Sequence, residues 1–225
     1  VVQTVTDGDG DTATATSYST LAITFLDDGP TAVDPTGTPA ELLLDESPED
    51  DLNDPDDGNP DGIHTVTGNY ASHFTDPADY GADGEGSIDY TMALNGTDLG
   101  TGLYALDPTN DGTGTTPLGQ GAEILLEIDT ATGVVSGKAG GLTYFTIAAD
   151  ALSGDVTFTL DPIAAETTNI WHPVAGDKGT APSDPHDDPV TLAMHDANDV
   201  PLTDVLVLKQ TITDADGDTA SSALD

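Results

Sequence analysis

Three aspartates at alternate positions recur twice in this chain: Asp7, Asp9 and Asp11 near one end, and Asp214, Asp216 and Asp218 near the other. Carboxylates at i, i+2 and i+4 around a glycine set hard oxygen donors on one side of a tight bend. That is cation chemistry, since Ca²⁺ takes roughly six to eight oxygens at about 2.3–2.6 Å. The element departs from an EF-hand: the closing glutamate is missing and the flanks read as strands, not helices. Three carboxylates leave the shell unfilled, so further ligands must arrive from elsewhere in the fold. A solvated hairpin turn is the alternative, at the cost of self-repulsion among three like charges.

The two elements are almost the same sentence. Residues 3–13 read QTVTDGDGDTA and residues 210–220 read QTITDADGDTA, an offset of 207 residues with only Val/Ile and Gly/Ala exchanged. A long echo at a fixed offset marks a tandem array. The expected organisation is a closing hairpin of a preceding repeat over residues 1–29 and one repeat module over 30–225. In an end-to-end stack the turn before the returning strand lies at the proximal end of its module. Asp214, Asp216 and Asp218 are therefore expected beside the junction residues Asp27, Asp28, Asp45 and Glu46, forming an interdomain calcium site. Asp7, Asp9 and Asp11 would serve the preceding junction.

Other residues offer weaker chemistry. Asp54, Asp56, Asp57, Asn59 and Asp61 sit in an acidic loop, residues 49–62, with ligand-like spacing or as a merely solvated segment. Asp196, Asn198 and Asp199 are a further candidate. His172, His186 and His195 with Asp187 and Asp188 raise zinc, but no HExxH or Cys/His spacing supports it. His64 and His73 read as ordinary surface or half-buried residues. Trp171, beside His172 in the long irregular stretch 169–189, is either a core plug, the favoured reading, or an exposed anchor for a glycan or peptide. Tyr70, Tyr80, Tyr90 and Tyr104 could line a glycan groove, though strand tyrosines usually pack. Carboxylate pairs are plentiful, yet no pair is set apart by the basic or aromatic neighbours that split pKa values. No nucleophile elbow, P-loop or Rossmann fingerprint occurs. The expectation is a protein that is not an enzyme.

Composition narrows the partners. The 225 residues carry 42 acidic side chains, of which all but seven are aspartate, against three lysines and no arginine, for a formal charge of −39. This excludes a phosphate grip on nucleic acid and an anionic membrane surface. Aspartate favours turns and oxygen coordination over helices. Such charge opposes compaction unless cations or salt neutralise it. The clustering of the acids argues against a halophile surface as the whole explanation. There is no cysteine, so a metal is the natural staple for a secreted domain. No apolar run is long enough for a membrane-spanning helix.

The elements that must position these residues are strands. Val1–Thr6 and Thr12–Leu26 read as a hairpin around the first aspartate turn, stopped by Asp27-Asp28-Gly29-Pro30. Further strands are expected at Ile63–Thr67, Ser87–Leu94, Glu123–Ile128, Val134–Ser136, Leu142–Ala148, Val156–Leu160 and Val205–Thr213. Ser87–Leu94 alternates Ile88, Tyr90, Met92 and Leu94 and ends in Asn95-Gly96, a hairpin-turn signal. Turns are expected at Asp129–Gly133 and Ala151–Asp155. No stretch has a capped 3.6-residue apolar period. The predicted fold is all-β, a β-sandwich that is immunoglobulin-like or an elaboration of that form, with long acidic loops.

Several of these features together resemble the repeat modules of type I-secreted RTX adhesins. They are the QT(V/I)TDxDGDTA element, Phe25-Leu26-Asp27-Asp28-Gly29-Pro30, Leu44-Asp45-Glu46-Ser47 and Tyr80-Gly81-Ala82-Asp83-Gly84. The resemblance implies an extracellular module at a bacterial cell surface, one of many all-β units in a calcium-stiffened stalk. Its partners would be neighbouring repeats of the same chain. The alternative role within such a protein is recognition of a glycan or peptide through the 169–189 loop, with Trp171 and His172.

Overall fold

The computed structural model describes residues 2–17, 23–44, 65–74, 78–96, 99–160, 170–171, 190–196, 198 and 200–225. Asp45, Glu46, the 49–62 loop with Asp54, Asp56, Asp57, Asn59 and Asp61, and His64, His172, His186, Asp187, Asp188 and Asp199 lie outside the described residues.

The chain is all-β and antiparallel. Among the described residues the single helical piece is one 3-10 turn, Ala71–His73. The strands are β1 (Val2–Thr6), β2 (Thr12–Thr16), β3 (Thr65–Asn69), β4 (Glu85–Leu94), β5 (Gly100–Leu106), β6 (Gln120–Asp129), β7 (Val134–Ala139), β8 (Leu142–Ala149), β9 (Asp155–Leu160), β10 (Leu206–Asp214) and β11 (Thr219–Leu224). Six of them form one sheet in the order β3-β9-β8-β7-β6-β5, three form a second in the order β11-β10-β4, and β1-β2 is a separate two-stranded ribbon.

Period-two patterning turns one face of each larger sheet inward. Ile124 and Leu126 on β6, Val135 on β7 and Phe145 on β8 are at most 1% exposed, whereas Leu125, between two inward positions, is half-exposed. From the smaller sheet β4 contributes Tyr90 and Met92, and β10 contributes Leu208, Gln210 and Ile212. β4 lies over β6, β7 and β8, so the two faces share one apolar layer, as in a sandwich. Each fully buried aliphatic side chain there stabilises the fold by about 1.5–3 kcal/mol. A polar member, Gln210, donates from Nε2 to the Tyr90 hydroxyl at 3.0 Å across the β4–β10 pair, which removes the penalty of a buried unpaired amide.

Three expectations need correction. β5 was not anticipated, because Gly100 and Gly102 interrupt its apolar alternation. Yet Thr101, Leu103 and Ala105 point inward, and Thr101 Oγ1 donates to the Ile124 carbonyl at 2.6 Å. Asn95-Gly96 does not close a hairpin within one sheet: β4 pairs with β10, and β5 belongs to the other sheet. Asn95 instead ties the small sheet's end, its N–H donating to Val205 O at 2.7 Å and its side chain to Asp204 O at 2.9 Å. Finally, the returning strand after Asp11 does not run to Leu26. It ends at Thr16, and 23–26 is not strand. The turns expected at Asp129–Gly133 and Ala151–Asp155 are present.

Packing between β7 and β8 sets the tightest constraint. Gly137 faces Phe145 so closely that a Cβ would fall inside the ring's van der Waals envelope. Gly137→Ala is expected to destabilise the protein by about 1–3 kcal/mol through overpacking. Urea unfolding checks this as a lowered midpoint with an unchanged slope.

Candidate metal centre

The second aspartate turn is built by the end of β10. A register shift between Thr213 and Asp214 sets Asp214 opposite Glu85, and such bulges re-aim a side chain. Gly86 makes the shift feasible, because a Cβ there would collide with the carbonyls of Thr213 and Asp214. The turn is then closed from within. Asp214 N–H donates to Asp218 O at 3.1 Å, and Asp214 Oδ1 accepts from the backbone N–H groups of Gly217 (3.0 Å) and Asp218 (2.8 Å). Gly217 adopts φ 108°, a conformation that favours glycine.

Two other segments converge on this turn. Ala215 N–H donates to Gly84 O at 3.1 Å, bringing up the loop before β4 that carries Asp83. The segment containing Asp27 is fastened to the same loop: Asp28 Oδ2 accepts from Ala82 N–H at 3.0 Å, and Thr31 N–H donates to Asp79 O at 2.9 Å. Gly81, at φ 71°, lets the strands of chain approach, since a Cβ would lie 2.8 Å from Gly29 O.

The result is a group of five carboxylates. Asp214, Asp216 and Asp218 each offer an oxygen within 4.8 Å of the others, and Asp27, Asp83 and Asp216 do the same, with Asp216 common to both sets. That separation is about twice a Ca²⁺–oxygen distance, the span of two ligands across one ion. Four of the five are exposed, but Asp214 is only 3% exposed and its Oδ2 has no hydrogen-bond partner among the described residues. A buried, unsatisfied carboxylate oxygen is costly unless a positive charge compensates it. The donor set, hard oxygens from three segments with one orphaned buried atom, fits a divalent cation.

Proton affinities reflect the crowding. Asp83 is pushed above its ordinary value, first by partial desolvation and then by the charges of Asp27, Asp214, Asp28 and Asp218. Asp216 is raised by its hydrogen bonding with Asp214, by desolvation, and by the charges of Asp214, Asp27 and Asp83. Burial raises Asp214 too, but hydrogen bonds from Asp216 and the Asp218, Gly217 and Asp216 backbone outweigh it and hold the group below its ordinary value.

The structure thus brings Asp27 to the 214–218 turn. It sets Asp28 beside the group as a clamp on Ala82, and adds Asp83, which the sequence offers in the Tyr80–Gly84 motif but not among the candidate ligands. A signal for Asp83 was present, in an aspartate set among Gly81, Gly84 and Gly86 where backbones can approach closely. The first turn repeats the second: Asp7 N–H donates to Asp11 O at 2.9 Å, and Asp7 Oδ1 accepts from Asp9 N (3.3 Å) and Asp11 N (2.9 Å). Asp7, Asp9 and Asp11 also lie within 4.8 Å of one another, all exposed.

Other candidates have structural duties. Asp196 Oδ1 accepts from the N–H groups of Asn198 and Val200. His195 has acceptors at both ring nitrogens, Asp196 O at Nδ1 (2.8 Å) and Glu123 Oε1 at Nε2 (2.7 Å). His73 Nδ1 faces Thr36 O at 2.9 Å. Trp171 is half-buried, its Nε1 donating to Leu118 O at 2.8 Å and its ring edge-on to Tyr104. Tyr70 and Tyr90 are buried.

These shifts divide the pH response. Asp107, Asp111, Asp129, Asp150 and Asp196 are lowered by hydrogen bonds from turn residues. Their contribution is present above the ordinary value of 3.8 and is lost as pH falls through their lower folded values. Asp83 and Asp216 are raised, so the folded state binds more protons and stability falls as pH climbs from 3.8 through their higher folded values. In chelator, midpoint stability is expected to pass a maximum in the carboxylate range and then decline as pH rises through the higher folded values of Asp83 and Asp216. Asp83→Asn should flatten the decline and leave the acid limb unchanged, as read by denaturant midpoints across pH.

A family model described as "Domain of unknown function (DUF5801)" matches residues 41–225, taking in Asp83 and the 214–218 turn but leaving Asp27, Asp28 and the β1-β2 ribbon outside. No curated protein and no solved structure matches the chain. With well over half of its length under that model, the chain belongs to the DUF5801 family.

Proposed function

We propose that this module is a calcium-stiffened structural unit, an extender in the stalk of a large repetitive bacterial surface adhesin, and that its role is mechanical and not catalytic. The observation carrying the reading is Asp214. Its buried Oδ2 lacks a partner within a group of carboxylates drawn from the incoming segment (Asp27), the loop before β4 (Asp83) and the closing turn (Asp216, Asp218). A divalent ion held by these residues would supply charge neutralisation and cross-link the three segments. Asp28, Gly81 and the Gly84 carbonyl bring those segments together, and the duplicated turn supports repetition of the same device along an array. Affinity in the range of extracellular calcium modules, ~10⁻⁴–10⁻³ M, would leave the joint loose in a calcium-poor cytosol and stiff outside the cell. Trp171 gives no support to a glycan platform, since its N–H is already committed to Leu118 and its ring to Tyr104.

Calcium at ten times its dissociation constant is expected to stabilise the protein by about 1.4 kcal/mol per site, a rise in Tm of about 3–6 °C for a domain of this size. Asp216→Asn should abolish the rise. Asp129→Asn, in a turn remote from the group, should lower Tm while keeping the calcium response. Differential scanning calorimetry in calcium and in chelator makes the comparison, and an unchanged Tm for the parent protein would overturn the reading.

A further inference from the structure

The β1-β2 ribbon and the β10-β11 hairpin are the same object in two environments. Their registers coincide at the 207-residue offset: Gln3 pairs with Ala15 as Gln210 pairs with Ser222, and Thr6 with Thr12 as Thr213 with Thr219. Their turns share the Asp7–Asp11 and Asp214–Asp218 hydrogen bonds. Burial separates them. Ile212 is 1% exposed and its counterpart Val5 is 57% exposed; Gln210 is buried against Tyr90, and its counterpart Gln3 is exposed. The difference has one source, strand β4, which pairs with β10 along its length from Glu85↔Asp214 to Leu94↔Leu206. Every residue of β1 and β2 is exposed, and a lone two-stranded hairpin is at best marginally stable in water. The β10-β11 hairpin belongs to the family's domain, whereas β1-β2 repeats it outside the matched span.

We infer that β1-β2 is the sheet-completing hairpin of a second copy of this module, and that β1 docks in antiparallel register on that copy's equivalent of β4. Gln3 then takes the place of Gln210 beneath a tyrosine equivalent to Tyr90, and Val5 takes the buried place of Ile212. Each module's last hairpin and the next module's entry segment are consecutive in the chain. The inference stands on register and burial and does not need the cation.

The test joins two copies so that residues 1–208 are followed by residues 2–225, which puts Val2–Thr16 in the place of Lys209–Ala223 in the first copy. Unfolding is followed by calorimetry in saturating calcium and in chelator. Val5→Asp in the internal hairpin is expected to lower the Tm of the first copy by about 5–10 °C, as Ile212→Asp does in the single chain. Val5→Asp in the single chain is expected to leave its Tm unchanged. An internal Val5→Asp without effect, or a first copy that does not fold while the second melts normally, would overturn the inference. A calcium response lost while the Val5→Asp effect persists would count against the cation reading alone.

Discussion

Asp214, Asp216 and Asp218 repel one another across a turn, and Asp27 and Asp83 add to that repulsion from two other segments. The fold nevertheless brings all five together and buries Asp214 to 3% exposure. Backbone donors offset part of the cost: Gly217 and Asp218 satisfy Oδ1. Nothing among the described residues satisfies Oδ2. Neutralising a lysine or arginine would be the ordinary remedy, but Lys138 pairs with Glu127 on the far sheet and Lys209 lies on the outward side of β10. A chain with three lysines and no arginine has almost no internal cations to spend. Like charges are thus concentrated at the end of a buried strand, and closing these three segments together works against their repulsion.

Aspartate has two separate uses here, and distinguishing them matters to any reading of the charge. Asp107, Asp111, Asp129, Asp150 and Asp196 each accept from backbone N–H groups two to four residues on, as in Asx turns. Those carboxylates replace missing ladder bonds where strands reverse, and their lowered proton affinity records that service. Asp83 is raised instead, first by desolvation and then by neighbouring carboxylates, and Asp216 by its hydrogen bonding with Asp214, by desolvation and by neighbouring charges. The sign of the shift does not by itself mark a ligand: Asp214, buried in the same group, is held below its ordinary value by the hydrogen bonds of its turn.

What the sequence made legible follows from what its local patterns encode. Eight predicted strands match observed ones to within a few residues, because β-branched, aliphatic and aromatic residues recur through them. β5 was illegible because glycine at positions 100 and 102 removes the alternating side chains, although the backbone still pairs with β6. Asn95-Gly96 misled for a related reason: a dipeptide reports a bend, while the sheet that receives the next strand is decided by long-range burial of Tyr90, Met92 and Leu103. The long strand expected through Leu26 failed because β propensity in Ile23–Leu26 meets no partner strand, and Phe25 and Leu26 stand 91% exposed. At the site, the spacing of three aspartates was readable from local sequence and the convergence of Asp27 from topology. Asp83 required knowing that the loop before β4 folds over the β10 bulge, which is tertiary information.

The chain from Asp27 to Leu42 is held along the module by a series of contacts. After β2, the segment from Asp27 onward does not hang from the module but is fastened along it. Asp28 grips Ala82, Thr31 pairs with Asp79, and Thr36 exchanges bonds with His73. Tyr70 donates from its hydroxyl to Ala40 O at 2.8 Å, and Leu42 packs against the core. Past Thr31 these contacts are hydrogen bonds and apolar packing in which no carboxylate side chain takes part. At the start of the path, Asp27 stands among Asp83, Asp214, Asp216 and Asp218, where repulsion pushes the incoming segment away from the module. The start of the segment is thus held against repulsion, whereas its continuation rests on backbone hydrogen bonds and packing, so the charge balance at Asp27 bears on its first few residues far more than on the rest.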